Sequence, residues 1–165
     1  EAERNAINIY TVTIDESKRK DEKWYINTNI TYSFDGTNAT GSYGDATAKA
    51  HADTLYTAQD ETDGLGTEGD VRVEGLKTKL IRTLKRNVAN ELIKTDWYIT
   101  RKSEKNTAIP SAITTHRDAV RSKQTAMETA ITNASDTPAL ETLYTYTRQE
   151  DGSVTRPLGE LPTLE

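Results

Sequence analysis

The chain has 165 residues, 34% of them hydrophobic, with a formal net charge of -5 and a mean hydropathy of -0.76. That length fits one domain or a domain with an extension, while the low apolar content predicts a thin core. The negative balance argues against a dedicated nucleic-acid binder, the lack of cysteine excludes disulfide and thiolate chemistry, and no run approaches the roughly 20 apolar residues of a membrane span.

No stretch reads as a signal peptide, and an opening on Glu1 rather than Met suggests trimming or an upstream start. The chain reads as soluble material.

Residues 1–59 read as β-rich. Ile7 to Ile14 is rich in β-branched residues, with Tyr10, Val12 and Ile14 on one side and Ile7 and Ile9 on the other. Asp15 to Lys23 is a mixed-charge connection without apolar anchors. Trp24, Ile26, Thr28, Ile30, Tyr32 and Phe34 then alternate with Tyr25, Asn27, Asn29, Thr31 and Ser33. A period of two over eleven positions predicts a strand, and Asp35-Gly36 predicts the turn that ends it. The link between the two runs is too short for a helical crossover, so they are expected to pair antiparallel. A two-stranded ribbon is marginal in water; it must lie on helices, add a strand or pair with another subunit.

Thr37 to Tyr43 is turn-rich. Asp45 is placed to cap a helix through Ala46, Ala48, Ala50, Ala52, Leu55 and Tyr56, although its apolar stripe is weak. Residues 60–75 form an acidic, glycine-rich linker or exposed loop, from Asp60-Glu61-Thr62-Asp63 to Asp70.

The helical module spans residues 76–148. Leu76, Leu80, Ile81, Leu84, Val88 and Leu92 form one apolar stripe at about 100° per residue. This predicts a helix from Leu76 to Lys94, with Lys79, Arg82 and Arg86 on its opposite side. Trp97-Tyr98-Ile99-Thr100 reads as a short strand or extended arm, and Arg101 to Asn106 as an exposed turn. Pro110 pushes Ile109 into an extended conformation, so a second helix is expected from about Ser111 to Asn133. Ile113, Val120, Met127 and Ile131 share its apolar face. Asp136-Thr137-Pro138 reads as the cap and first turn of a short helix carrying Leu140, Leu143 and Tyr144. Residues 149–165 read as an extended tail. The whole predicts an α+β fold: an N-terminal antiparallel β-ribbon or small sheet, two long amphipathic helices, a short third helix and an extended C-terminal tail.

One part of the chain resembles a known group. Glu91-Leu92-Ile93-Lys94-Thr95-Asp96-Trp97-Tyr98, then Thr107-Ala108-Ile109-Pro110-Ser111, then His116-Arg117-Asp118-Ala119-Val120-Arg121 follow one another in order. The arrangement resembles the C-terminal module of tailed-bacteriophage tail and tail-fibre-associated structural proteins, with His116 where an aromatic residue is usual. The Arg156-Pro157 to Leu161-Pro162 ending is similar to the tails of the same group. The resemblance covers roughly the last half of the chain. It implies a virion setting, with assembly in the host cytoplasm.

The residues themselves offer little for catalysis. Asp60, Asp63, Glu68 and Asp70 are hard oxygen donors of the type calcium takes, but their spacing misses the EF-hand pattern, so a solvated loop is the simpler reading. His51 and His116 lie some sixty-five residues apart, without a nucleophile motif beside either. Gly64-Leu65-Gly66-Thr67-Glu68-Gly69 matches a dinucleotide loop only in its glycines. No carboxylate pair sits in an apolar frame that would raise its pKa. No enzyme activity, cofactor or metal is therefore expected.

The candidate partner-contact residues are Trp24, Tyr25, Tyr32, Phe34, Lys79, Arg82, Arg86, Trp97 and Tyr98. The expectation is a non-enzymatic structural virion protein, in the tail or its fibres, acting through contacts with its own copies or with other virion proteins. A tail-fibre assembly factor not retained in the virion and a host-surface glycan-binding module are the alternatives.

Overall fold

The computed structural model describes residues 9–164; the expectation for Ile7 lies outside them. The architecture is α+β, as expected. The chain divides into two compact units, Glu1–Lys49 and Ala50–Glu165.

The first unit holds β1 (Val12–Asp15), β2 (Tyr25–Ile26), β3 (Thr31–Phe34), β4 (Ala39–Ser42) and β5 (Thr47–Ala48). Its main sheet has the order β1-β4-β3, with β1 parallel and β3 antiparallel to β4. The expected antiparallel pair is therefore not made, because β4 lies between its two members. The cause is local. The Asp35 carboxylate accepts the N–H groups of Thr37 at 2.8 Å and Asn38 at 2.7 Å, and Gly36 supplies the positive φ of 98°. These bonds close a β3–β4 hairpin, a short loop that is cheaper to form than a longer-range pairing.

The eleven-residue alternation also does not make one strand. Asn27 exchanges two hydrogen bonds with the Lys20 backbone, each 2.9 Å, and the Thr28 hydroxyl accepts the Gly44 N–H at 2.7 Å. Side chains that bond the backbone in this way compete with the sheet ladder, and the run breaks into β2 and β3. β2 pairs antiparallel with β5, where alanines had suggested a helix. Without an apolar stripe, nothing holds those alanines helical.

The second unit opens with β6 (Thr54–Leu55), α1 (Ala58–Thr62) and β7 (Val71–Val73), β6 and β7 pairing antiparallel. The acidic segment is mostly exposed but is not an open linker. Thr57 and Asp60 form a capping box on α1, and Tyr56 and Asp70 close the segment through a 2.9 Å backbone bond.

Next come α2 (Leu76–Ile93), α3 (Asp96–Lys105), α4 (Ser111–Asn133) and α5 (Thr137–Tyr144). α2 starts against residues 50–53. The N–H groups of Leu76 and Lys77 donate to the carbonyls of Ala50 and His51, both at 3.0 Å, and Asp53 takes the Gly75 N–H and the Thr78 hydroxyl at 2.6 and 2.7 Å. The N–H groups of Gly75, Leu76 and Lys77 are among the donors a helix start leaves without intrahelical partners. α2 packs on α4. Their buried side chains, Leu76, Leu84, Val88, Ile113, Val120, Met127 and Ile131, are the centre of this unit's core, joined by Leu140 and Leu158. Each such burial is worth roughly 1.5–3 kcal/mol.

The two long helices and the short third helix fall where the sequence placed them, with Asp136 capping α5 through the Ala139 N–H at 2.8 Å. Trp97 to Thr100 is a correction. It lies in α3 rather than in a strand, and the polar run to Lys105 continues that helix. Asp96 occupies its first turn, and Asn106, at φ 52°, ends it with a bond to the Lys102 carbonyl. Those end contacts outweigh the strand preference of Trp, Tyr and Ile, which is a preference for packing more than for backbone geometry. The tail is a second correction. β8 (Thr147–Arg148) and β9 (Val154–Thr155) pair antiparallel, and beyond them Leu158 is buried and donates its N–H to the Leu143 carbonyl at 3.0 Å.

Candidate functional site

Strand register sorts the residues of the main sheet onto two sides. Val12 is aligned with Ala39 and Ala39 with Phe34; Ile14 is aligned with Gly41 and Gly41 with Tyr32. Aligned residues share a face, so these six positions form one side. The other side is made by Thr13, Thr40 and Ser33 in one row and Asp15, Ser42 and Thr31 in the next. Ser33 and Thr40 are joined there by a 2.8 Å hydroxyl–hydroxyl bond. One face is wholly polar and the other carries no charged side chain.

Two further residues extend the apolar face. Tyr10 packs against Phe34 with ring centroids 4.5 Å apart and the rings tilted by 50°. Ile30 reaches the centre: a Cβ on Gly41 would meet Ile14 and Ile30 methyl carbons at 2.8 Å and the Tyr32 ring at 3.1 Å. Only glycine lets those three side chains close over β4.

A sheet with this division ordinarily turns its apolar side onto a core. Here Val12 and Ile14 are 39% and 38% exposed, and Tyr32 and Phe34 are 65% and 52% exposed. Scattered exposed apolar residues mean nothing; a contiguous apolar face left in water marks a contact surface.

The other candidate residues fall in different settings. Trp24 and Tyr25 are buried, at 3% and 5% exposure, with Lys23 over the Trp24 ring and Lys20 over the Tyr25 ring. Lys79, Arg82 and Arg86 lie on the exposed side of α2, where Arg82 pairs with Glu74. Thr78, Ile81, Arg82 and Lys85 line a shallow depression of about 280 Å³ there. Trp97 is half exposed and stacks on Tyr98 at 3.8 Å, with the Arg101 guanidinium 5.8 Å from the Trp97 ring. The sheet brings Tyr32 and Phe34 together. Residues of the face that sequence reasoning did not single out are Val12, Ile14, Ile30, Ala39 and Gly41, although the alternation had put Val12 and Ile14 on one side with Tyr10.

The segment Glu91 to Arg117 forms a polar knot. Arg117 Nη1 donates to the Leu92 carbonyl at 2.8 Å, to Thr95 Oγ1 at 2.7 Å and to Asp96 Oδ1 at 2.8 Å. Two hydrogens thus serve three acceptors. Beside it His116 Nε2 and Glu91 Oε1 face each other at 3.4 Å, both buried and without another hydrogen-bond partner. A bond from Lys94, its charge, that of His116 and the Leu164 N–H hold the Glu91 carboxyl below its usual range against the opposing effect of burial. This arrangement ties the end of α2 to α4.

Other shifted carboxylates belong to local turns and caps. Asp15 and Asp35 are lowered chiefly by backbone N–H bonds from Ser17 and from Asn38. Asp60 is lowered by Thr57 and also pairs with Arg72 at 3.1 Å. Among the described residues, no group of three or more His, Cys, Asp and Glu side chains converges on one point, and no helix is long and apolar enough to cross a membrane.

No family model, no curated protein and no solved structure matches this chain.

Proposed function

We propose that the chain is a non-enzymatic structural component of a tailed-phage virion, in the tail or its attached fibres, working through contacts between subunits. The observation that carries this reading is the apolar side of β1-β4-β3, an amphipathic sheet whose Val12, Ile14, Tyr32 and Phe34 remain in water. A small sheet gains stability from cover on its apolar face, and a protein that lives in an assembly obtains that cover from a neighbour. The resemblance of the Glu91–Arg121 segment to tail and tail-fibre-associated proteins supplies the setting.

Mass spectrometry of purified virions tests the proposal. Stoichiometric recovery of the chain with the tail proteins is the expected result. Synthesis during infection with absence from the finished particle would instead make it an assembly factor that leaves, and would overturn the structural role.

A further inference from the structure

The sheet face has a definite shape and chemistry, and both limit what can cover it. It has two rows, Val12–Ala39–Phe34 and Ile14–Gly41–Tyr32, widened by Tyr10 and Ile30. None of these side chains is charged. The Asp15 carboxylate belongs to the opposite face, where it accepts the Ser17 N–H at 2.9 Å.

We propose that this face is where two copies of the chain meet, apolar sheet on apolar sheet. Charge decides first. A basic, acidic or nucleic-acid partner would gain no ionic contact here and would have its own charges stripped of water. Laid on itself across a two-fold axis, the face brings no like charges together, which is the main obstacle to an isologous contact. Layering argues the same way. Two sheets stacked about 10 Å apart bury their inner faces while their polar faces stay outside. The outer row here, Thr13, Thr40 and Ser33, with Ser33 bonded to Thr40, is already suited to solvent.

Area sets the strength. At 65% and 52% exposure, Tyr32 and Phe34 leave roughly 200 Å² of aromatic surface in water. Val12, Ile14, Tyr10 and Ile30 bring the patch to a few hundred Å². A stable interface takes about 800 Å² per partner. The pairing is therefore weak in dilute solution and populated where copies are concentrated, as in an assembly. The inference deepens the structural role proposed above, yet self-association of the pure chain and its retention in the particle are read separately, so either can fail alone.

Sedimentation of the full chain, from about 10 μM to on the order of 1 mM, tests the contact across the range where weak dimers appear. The weight-average mass should rise toward twice that of the monomer. Tyr32→Lys and Phe34→Lys should weaken association at least tenfold, while Thr13→Lys and Ser33→Lys, on the polar face, should leave it unchanged. Far-UV circular dichroism checks that each variant is folded. A second measurement avoids charge substitutions. The chain has no cysteine, so a single one introduced by Tyr32→Cys should be joined between copies by a short bis-maleimide, and one introduced by Ser33→Cys should not. A wild type monomeric to the highest concentration would overturn the proposal, as would equal behaviour of the two faces. Intact self-association in the Tyr32→Lys variant, with loss only of its incorporation into virions, would assign the face to a different chain.

Discussion

Arg117 reaches back 22 residues to donate a 2.7 Å hydrogen bond to the side-chain oxygen of Thr95, a residue 1% exposed at the end of α2. The same nitrogen holds the Leu92 carbonyl and Asp96, so the break between α2 and α3 is fixed from α4. Arg117→Ala should lower stability by about 2–3 kcal/mol, because buried acceptors lose a charged donor. The ion pair with Asp96 adds little, since that carboxylate is 54% exposed. Urea denaturation followed by circular dichroism reads the loss, and an Arg117→Lys variant should recover part of it by keeping the charge with a shorter reach.

Leu158 is 3% exposed although it follows a run of exposed residues. It docks the C-terminal segment on α5 through its N–H bond to Leu143. Leu158→Ala should destabilise the second unit by about 2–4 kcal/mol through lost burial and the cavity left behind. Amide hydrogen exchange gives the finer readout: protection at Leu158 should fall further than protection in the middle of α4.

How much of this was legible in the sequence depends on whether the signal was local. α4 and α5 follow from Pro110 and from Asp136-Thr137-Pro138, whose preferences act within one turn. The sheet does not follow from its alternation. The run from Trp24 to Phe34 is broken by bonds that Asn27 and Thr28 make to residues distant in the chain, and spacing carries no trace of those. β4 was hidden because Thr40-Gly41-Ser42 has turn composition; Gly41 is there for space, not for a turn. At Trp97 the residue type favoured a strand while Asp96 in the first turn and the Asn106 cap favoured a helix, and the end contacts prevailed. The candidate face was half visible. Alternation grouped Tyr10 with Val12 and Ile14, and Ile30 with Tyr32 and Phe34, but only the register through β4 puts both groups on one side.

Gly75 precedes α2 at φ -76° and ψ 179°, angles any residue adopts. Its constraint is space. A Cβ there would run into the carbonyl carbon and oxygen of Ala52, well inside van der Waals contact, and would come 2.8 Å from the His51 oxygen. Backbone atoms cannot rotate aside as a side chain can, so Gly75→Ala should cost about 1–3 kcal/mol. The lower transition midpoint should be accompanied by loss of exchange protection at Leu76 and Lys77, whose N–H groups donate to Ala50 and His51 in the same segment.

Asp53 provides a pH dependence with a definite sign. Its carboxyl is held below the ordinary aspartate value of 3.8, first by the Gly75 N–H and then by the Thr78 hydroxyl, with smaller help from Arg82 and Lys79. Because the folded-state pKa is depressed, the ionised carboxylate contributes its full stabilisation above the unfolded value and loses it as pH falls through the folded one. Asp53→Asn keeps an oxygen for the Gly75 N–H but removes the charge that favours a helix N-terminus. The variant should therefore melt a few degrees below wild type near about pH 6, and the two melting temperatures should converge below the ordinary aspartate range. Asp15, Asp35, Asp60 and Asp151 are lowered as well, so both proteins lose stability in acid and only the difference between them reports on Asp53. No gap at neutral pH would show that the contact at the start of α2 is made equally well by a neutral acceptor, and a gap that stays constant into acid would show that the loss does not come from the charge.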